Sequence, residues 1–269
     1  MRKREDRFKY LKWAVKLLFL MIIVGAFWWW LFLSSQFQIR HVEVRGAASL
    51  SSEKIKSSFY EATRNPLFLF EDKNSLLVFL NRNQILSQLT SKYPPIQQAK
   101  LNINISTDQV KITITERSEV GIWSQGKESF YFDSEGVLFR PAPDYQGQII
   151  TPVVAKIEKK IKLGDKIAPP ELHSAVMELI ESDYLQRHLN PARIEIINEA
   201  YDLKCTLVDG AELFFSTENT NGNLEKSLYV LEQTMERKVK KTDKKLDYID
   251  LRIGNRAYVK YEEEEDRNP

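Results

Sequence analysis

Two serines stand three residues ahead of a lysine: Ser51 with Lys54, and Ser124 with Lys127. On a helix this spacing sets the amine one turn from the hydroxyl, where it can take the serine proton and make a nucleophile for acyl transfer. Neither pair is placed for that work. Ser124 falls in a turn-forming stretch with Gly126, and Ser51 is better used as a helix cap, with Glu53 in the first turn near the positive dipole end. The Lys-Thr-Gly companion of such enzymes is missing; the nearest run, Lys241-Thr242-Asp243, follows a helical stretch. His41, His173 and His188 share no metal-ligand spacing with one another or with Cys205. No phosphate-cradling glycine loop, dinucleotide fingerprint or nucleophile elbow occurs. The sequence therefore predicts no catalytic residue, no metal ligand and no cofactor. Cys205 alternates with Leu203 and Leu207, which reads as a buried strand position rather than a reactive thiol.

The elements that would position any function stand behind a membrane-length segment. Residues 17–33 hold no charged side chain. A helix rises about 1.5 Å per residue and the bilayer core is about 30 Å thick, so roughly 20 apolar residues cross it. Residues 17–36 supply that length, with Trp28, Trp29 and Trp30 towards the far interface. The run is longer than the apolar part of a cleaved signal, and Ser34-Ser35-Gln36 makes a poor cleavage site. Residues 1–16 carry seven Lys/Arg against two acids, and short basic flanks stay in the cytoplasm. The expectation is an uncleaved single-pass anchor, N-terminus cytoplasmic, with everything after residue 37 outside. That remainder holds 32 Lys/Arg and 35 Asp/Glu, and no broad basic surface, which argues against nucleic acid as a partner. One cysteine cannot form an internal disulfide, so the exterior domains must be held by burial.

Over residues 37–117 the spacing predicts strand, helix, helix, strand, strand. The first strand covers residues 40–45, and a helix follows Ser51 with Ile55, Phe59 and Ala62 on one face. Asn65-Pro66 breaks it, a second helix starts near Asn81, where Asn81 and Gln84 have capping-box spacing, and Pro94-Pro95 stops that one. Two alternating strands follow, with Leu101, Ile103 and Ile105 on one and Val110, Ile112 and Ile114 on the other, turned at Thr107-Asp108. Residues 118–261 are strand-rich. Leu172, Val176, Leu179 and Ile180 mark one helix there, in a region that Pro191 ends, and Leu224, Leu228, Leu231, Met235 and Val239 mark a second. Asp209-Gly210 and Gly254-Asn255 read as hairpin turns, and residues 262–269 as an acidic, disordered tail. The fold class is α+β.

Several pieces of this layout have a familiar look. They are Phe37-Gln-Ile-Arg-His-Val-Glu-Val-Arg-Gly46, Asn65-Pro-Leu-Phe-Leu-Phe70, Tyr93-Pro94 and Val110-Lys-Ile-Thr-Ile-Thr-Glu-Arg117. To these add Tyr131-Phe-Asp-Ser-Glu-Gly-Val-Leu138 and Tyr248-Ile-Asp-Leu-Arg-Ile-Gly-Asn-Arg256. In that order, behind a single anchor, they resemble the FtsQ/DivIB family of bacterial cell-division proteins. The resemblance implies a transmembrane helix at 17–36, a POTRA-like β-α-α-β-β domain at 37–117 and a larger, antiparallel FtsQ-type β domain with flanking helices at 118–261. It also implies a non-catalytic bitopic scaffold of the division machinery in the cell (inner) membrane at the septum. Its partners would be FtsB/DivIC-like and FtsL-like bitopic proteins, and it would help recruit septal peptidoglycan synthesis to mid-cell. Two other readings stand beside it. A POTRA-bearing envelope assembly or export factor would ordinarily carry lipid-facing barrel strands, and no such series is visible. A cell-wall enzyme would need one of the Ser-x-x-Lys pairs.

The last predicted strand, residues 256–261, has no later segment to pair with it. An open edge presents N–H and C=O groups to which a partner strand can add. Arg252, Ile253, Tyr258, Val259, Lys260 and Tyr261 are accordingly the candidate binding residues. Tyr258, Val259 and Tyr261 would anchor the partner, and Arg252 and Lys260 would attract acidic groups.

Overall fold

A computed structural model describes residues 2–33, 37–63, 74–104, 107–143, 151–156, 161–167, 169–218, 223–253 and 256–262. The chain divides into two compact units, residues 1–116 and 117–269.

The first unit opens with helix α1, Arg2–Leu33, in which the 19 residues Lys12–Trp30 are apolar except for Lys12 and Lys16 near the start. It is long and apolar enough to cross a membrane, and the side chains from residue 12 to residue 30 are all exposed. A helix that is apolar all round and uncovered is unstable in water. The basic residues of the head form the first turns of the same helix; residues 34–36, the end of the expected span, lie outside the described residues.

The rest of that unit is a three-stranded sheet with helices packed on it. Its elements are β1 His41–Arg45, α2 Ser52–Thr63, α3 Ser75–Leu80, α4 Arg82–Lys92, β2 Ile96–Asn104 and β3 Gln109–Glu116. The sheet order is β1-β3-β2, with β1 parallel and β2 antiparallel to β3. Ile55 and Phe59 of α2 and Ile85 and Leu89 of α4 are buried against Val110, Ile112 and Ile114 of β3. Gly46 ends β1 at φ +83°, and a Cβ there would lie 2.1 Å from the Ile114 carbonyl oxygen, so only glycine fits. The Glu116 carboxylate holds the loop that follows, accepting the N–H of Ala48 at 2.8 Å, of Ser49 at 3.0 Å and the Ser49 hydroxyl at 2.6 Å. Burial opposes its ionisation, but these donors outweigh burial and hold the carboxyl below its usual range.

Two details differ from the sequence reading. Residues 75–80 form an additional helix, α3. Asn81 sits in the turn between α3 and α4 at φ −97°, ψ 11° and makes no side-chain capping bond, so the capping box does not form. A capping side chain works from an extended backbone, which this residue lacks. The expected break at Asn65-Pro66, the landmark at residues 65–70 and Ile105 lie outside the described residues.

The second unit is built on a nine-stranded sheet of order β12-β11-β10-β9-β8-β7-β4-β5-β6. The strands are β4 Gly121–Gln125, β5 Glu128–Phe132, β6 Leu138–Pro141, β7 Pro152–Ala155, β8 Pro191–Ile196, β9 Leu203–Leu207, β10 Glu212–Phe215, β11 Leu246–Asp250 and β12 Tyr258–Tyr261. Hairpin neighbours pair antiparallel, whereas β4–β7, β7–β8 and β10–β11 are parallel. Parallel neighbours need a crossover, and helices provide two of them. α5, Pro170–Glu181, lies between β7 and β8, and α6, Glu225–Arg237, between β10 and β11. Leu172, Val176 and Leu179 of α5 and Leu231 of α6 join Trp123, Phe132, Leu213 and Phe215 in one buried core. Cys205 lies there too, fully buried on β9, and burial pushes its thiol up to about 12.

Arg117, the first residue of this unit, forms an ion pair with Asp133, whose side chain is only 2% exposed. The same carboxylate accepts the N–H of Glu135 at 3.1 Å and of Val137 at 2.9 Å, closing the β5–β6 turn.

Candidate protein-binding edge

The two ends of the nine-stranded sheet are finished differently. At the β6 end the residues after Gly164 run alongside the strand. Leu138 donates its N–H to Asp165 at 2.9 Å, Gly164 donates to Leu138 at 2.7 Å and Ile167 donates to Gly136 at 2.9 Å. Pro141 closes β6, and the β5–β6 register is broken between Tyr131 and Phe132. Proline, a bulge and a covering loop are the usual protections of a sheet edge. At the other end β12 pairs with β11 alone, and among the described residues no strand lies beyond it.

The crossover through α6 brings the chain back parallel to β10, and the hairpin then lays β12 against β11. Val259 stands opposite Ile249, Tyr258 opposite Asp250, Lys260 opposite Tyr248 and Tyr261 opposite Leu246. The expected turn at Gly254-Asn255 lies outside the described residues. In an antiparallel ladder successive residues turn their N–H and C=O to opposite sides. Glu262 donates its N–H to the Lys245 carbonyl at 2.9 Å, on the β11 side. Counting back, Lys260 and Tyr258 also turn to β11, and Val259 and Tyr261 turn to the free side. The register shift between Leu246 and Tyr248 lies in β11 and leaves this alternation intact.

The side chains divide by the same alternation. Val259 and Tyr261 pack against the core, where Ile249 and Leu251 are buried. Tyr258 and Lys260 lie on the opposite face, with Tyr258 49% exposed. Of the three expected anchors, then, Tyr258 alone offers its ring to solvent, and Val259 and Tyr261 offer chiefly backbone. Ile253, after β11, is 58% exposed.

Arg252 and Lys260 are already engaged by acids of this chain. Arg252 holds Asp250 through two contacts, Nη2 at 2.6 Å and Nε at 3.0 Å, and reaches Asp202 at 3.4 Å. Lys260 bonds Asp247 at 2.9 Å. The guanidinium beside Asp250 holds that carboxyl below its usual range, and the carboxylate in turn raises Arg252. Both cations are thus paired with acids of this chain beside the edge.

Two aromatic residues that the sequence reading passed over complete this face. Phe214 of β10 and Tyr248 of β11 meet edge to face, centroids 5.8 Å apart. The Arg252 guanidinium lies 5.3 Å from the Phe214 centroid and the Lys260 ammonium 5.6 Å from that of Tyr248. The arrangement is a strand edge with outward amides beside a small aromatic–cationic surface, suited to adding a strand and gripping a side chain. The serine pairs have no such setting. Ser124 is on strand β4, its hydroxyl 2.9 Å from that of Ser129, and Ser51 directly precedes α2.

Comparison with known proteins bears on residues 121–252, which match the family described as Cell division protein FtsQ/DivIB, C-terminal. A relative in Chloroflexus aggregans, named Cell division protein FtsQ, is 28% identical over 109 residues, 40% of this chain. The match spans 35% of that relative's length.

Proposed function

Because the chain belongs to the FtsQ/DivIB family, whose C-terminal domain it carries at residues 121–252, we propose that it serves cell division as a non-catalytic, membrane-anchored scaffold. In this reading α1 is the single anchor, with the basic head in the cytoplasm and everything after residue 37 outside the cell (inner) membrane. Residues 37–117 act as a POTRA-type domain and residues 118–261 as the partner-binding β domain. The partners are FtsB/DivIC-like and FtsL-like bitopic proteins, and the assembly helps bring septal peptidoglycan synthesis to mid-cell.

The observation that carries the reading is the free edge of β12 at one end of a sheet whose other end is covered. An extended segment of a partner adds there as a tenth strand, bonding to Val259 and Tyr261. Depletion of the chain tests the role: cells should grow into filaments with unfinished septa, and normal division would overturn it. A Val259→Ala copy should restore division and a Val259→Pro copy should not. An enzymatic reporter fused after residue 262 tests the topology, since activity of a cytosolic reporter there would place the β domain on the wrong side.

A further inference from the structure

Single exposed apolar side chains are common on a protein surface. In the first unit two large ones stand together: Phe79 and Leu80, 51% and 70% exposed, at the end of α3. The helix is held from its other side. Asn74 caps it, Oδ1 accepting the N–H of Leu76 at 2.9 Å, and Asn74, Ser75 and Val78 are buried. α3 thus turns two large apolar residues outward, where a water-facing helix carries polar ones. The start of α4 adds a cation beside them. The Arg82 guanidinium lies 5.4 Å from the Phe79 centroid, is exposed, and has no ion pair among the described residues.

The place of α3 in the unit indicates what covers it. Trp30, near the C-terminal end of α1, meets Phe37 edge to face, centroids 5.6 Å apart. Gln38, the next residue, forms an antiparallel bridge with Asn74. Bridged backbones lie about 5 Å apart and a helix rises about 1.5 Å per residue, so the Leu80 backbone is within about 20 Å of that of Phe37. Tryptophan at the end of a membrane-spanning helix sits at headgroup level. Contacts therefore lead without a break from that level to the exposed pair, through Trp30, Phe37, Gln38, Asn74 and α3. Two apolar side chains with an arginine beside them suit that layer. The apolar groups reach the acyl boundary, and the guanidinium stays with phosphate.

We propose that α3 is a membrane contact: Phe79 and Leu80 enter the headgroup layer of the bilayer that α1 crosses, and Arg82 binds a lipid phosphate beside them. This rests on the reading of α1 as the anchor. It holds the first unit to the membrane surface at a second point beyond α1, and it stands whether or not a partner strand adds to β12.

Cys205 is fully buried with its thiol raised to about 12, so a single added cysteine takes a label alone. Full-length Phe27→Cys, Arg45→Cys and Leu80→Cys chains, each carrying a nitrobenzoxadiazole fluorophore, are placed one per nanodisc of phosphatidylcholine and phosphatidylglycerol containing a shallow nitroxide lipid. Position 27 lies within α1 and reports the anchor; position 45, exposed at the far end of β1, is the reference. The nitroxide should quench positions 27 and 80 about twofold or more and leave position 45 nearly unchanged. Quenching at 27 without quenching at 80 would overturn the contact and leave the anchor standing; quenching at neither would overturn both. A label at position 80 shielded from aqueous iodide as well as from the nitroxide would put protein, not lipid, over α3 and overturn the contact. Phe79→Glu should abolish the quenching at position 80 with the circular dichroism unchanged, and quenching that survives it would overturn insertion of the ring. Arg82→Gln should reduce the quenching, and no effect would overturn the phosphate contact.

Discussion

Val259 and Lys260 are neighbours on β12 with opposite assignments. Val259 puts its side chain on the core and its amide on the free side. Lys260 bonds Asp247 on the outer face at 2.9 Å and turns its amide to β11. Proline removes an N–H and is tolerated in a sheet only where that N–H faces away from the ladder. Val259→Pro should therefore leave a folded domain, losing about 1 kcal/mol from its half-buried side chain. It should weaken binding of an added strand by about tenfold or more. Lys260→Pro should destabilise the domain by about 1–3 kcal/mol, because a β11 carbonyl loses its donor. Denaturant melts and binding measurements on the two variants separate these outcomes. If both variants melt alike, the parity derived for β12 is wrong.

The pair Asp250–Arg252 ties the stability of the same edge to pH. Hydrogen bonding from Arg252 holds the Asp250 carboxyl below its usual 3.8. A carboxyl whose folded pKa is depressed contributes its stabilisation fully above the unfolded value and loses it as pH falls through the lower, folded value. The side chain of Arg252 is about one-third exposed, 36%, so screening limits the pair to roughly 0.5–1 kcal/mol. Arg252→Gln should be less stable than wild type by that amount at pH 7 and at pH 5. The gap should close as the pH drops below about 3.8. Urea unfolding at several pH values measures it, and a gap that widens towards acid would contradict the assigned sign.

Much of this was legible because alternation and helical spacing are local. Leu203, Cys205 and Leu207 are all buried, as their spacing predicts, and Leu231 and Met235 of the last helical stripe are buried on α6. Helix α3 escaped because its residues from Leu76 to Leu80 are all apolar, which leaves no polar positions to reveal a period. Pro191 reads as a terminator and instead opens β8, a first strand position where a missing N–H costs little. The parallel join of β10 to β11 depends on how α6 packs, which no local pattern encodes. The aromatic face was within reach: Leu213 and Phe215 face the core, so Phe214 between them had to face outward. The pairing of Arg252 with Asp250 was also within reach, since the two stand two positions apart along one extended stretch, on the same side of it.

Arg117 and Asp133 make the most buried ion pair of the second unit's entrance, with side chains 12% and 2% exposed. Removing one partner of such a pair leaves a charge out of water without compensation, which costs about 3–5 kcal/mol. Arg117→Ala should lower the stability of the second unit by that amount. Adding Asp133→Asn should recover part of the loss, because asparagine still accepts the N–H groups of Glu135 and Val137 while carrying no charge. Guanidinium unfolding followed by circular dichroism gives both numbers. A double variant no better than the single one would mean that packing of the guanidinium, not the stranded carboxylate, dominates.

Cys205 supplies a probe of how the sheet opens. It is fully buried on β9, an interior strand flanked by β8 and β10, and burial raises its thiol to about 12. Reaction with a thiol reagent requires both exposure and thiolate. Fraying at β12 or at the covered β6 end cannot expose a strand in the middle of the order, so labelling must follow cooperative opening of the unit. At pH 8 the native chain should stay unreactive towards a disulfide reagent, and the urea-unfolded chain should react at once. Where reclosing outpaces labelling, the native rate scales with the population of the open form, so a loss of 3–5 kcal/mol in Arg117→Ala should accelerate labelling about a hundredfold or more. Val259→Pro, which acts at the edge, should change that rate only by its small stability cost. Immediate reaction of the native thiol would contradict the burial of β9 and, with it, the single core assigned to the second unit.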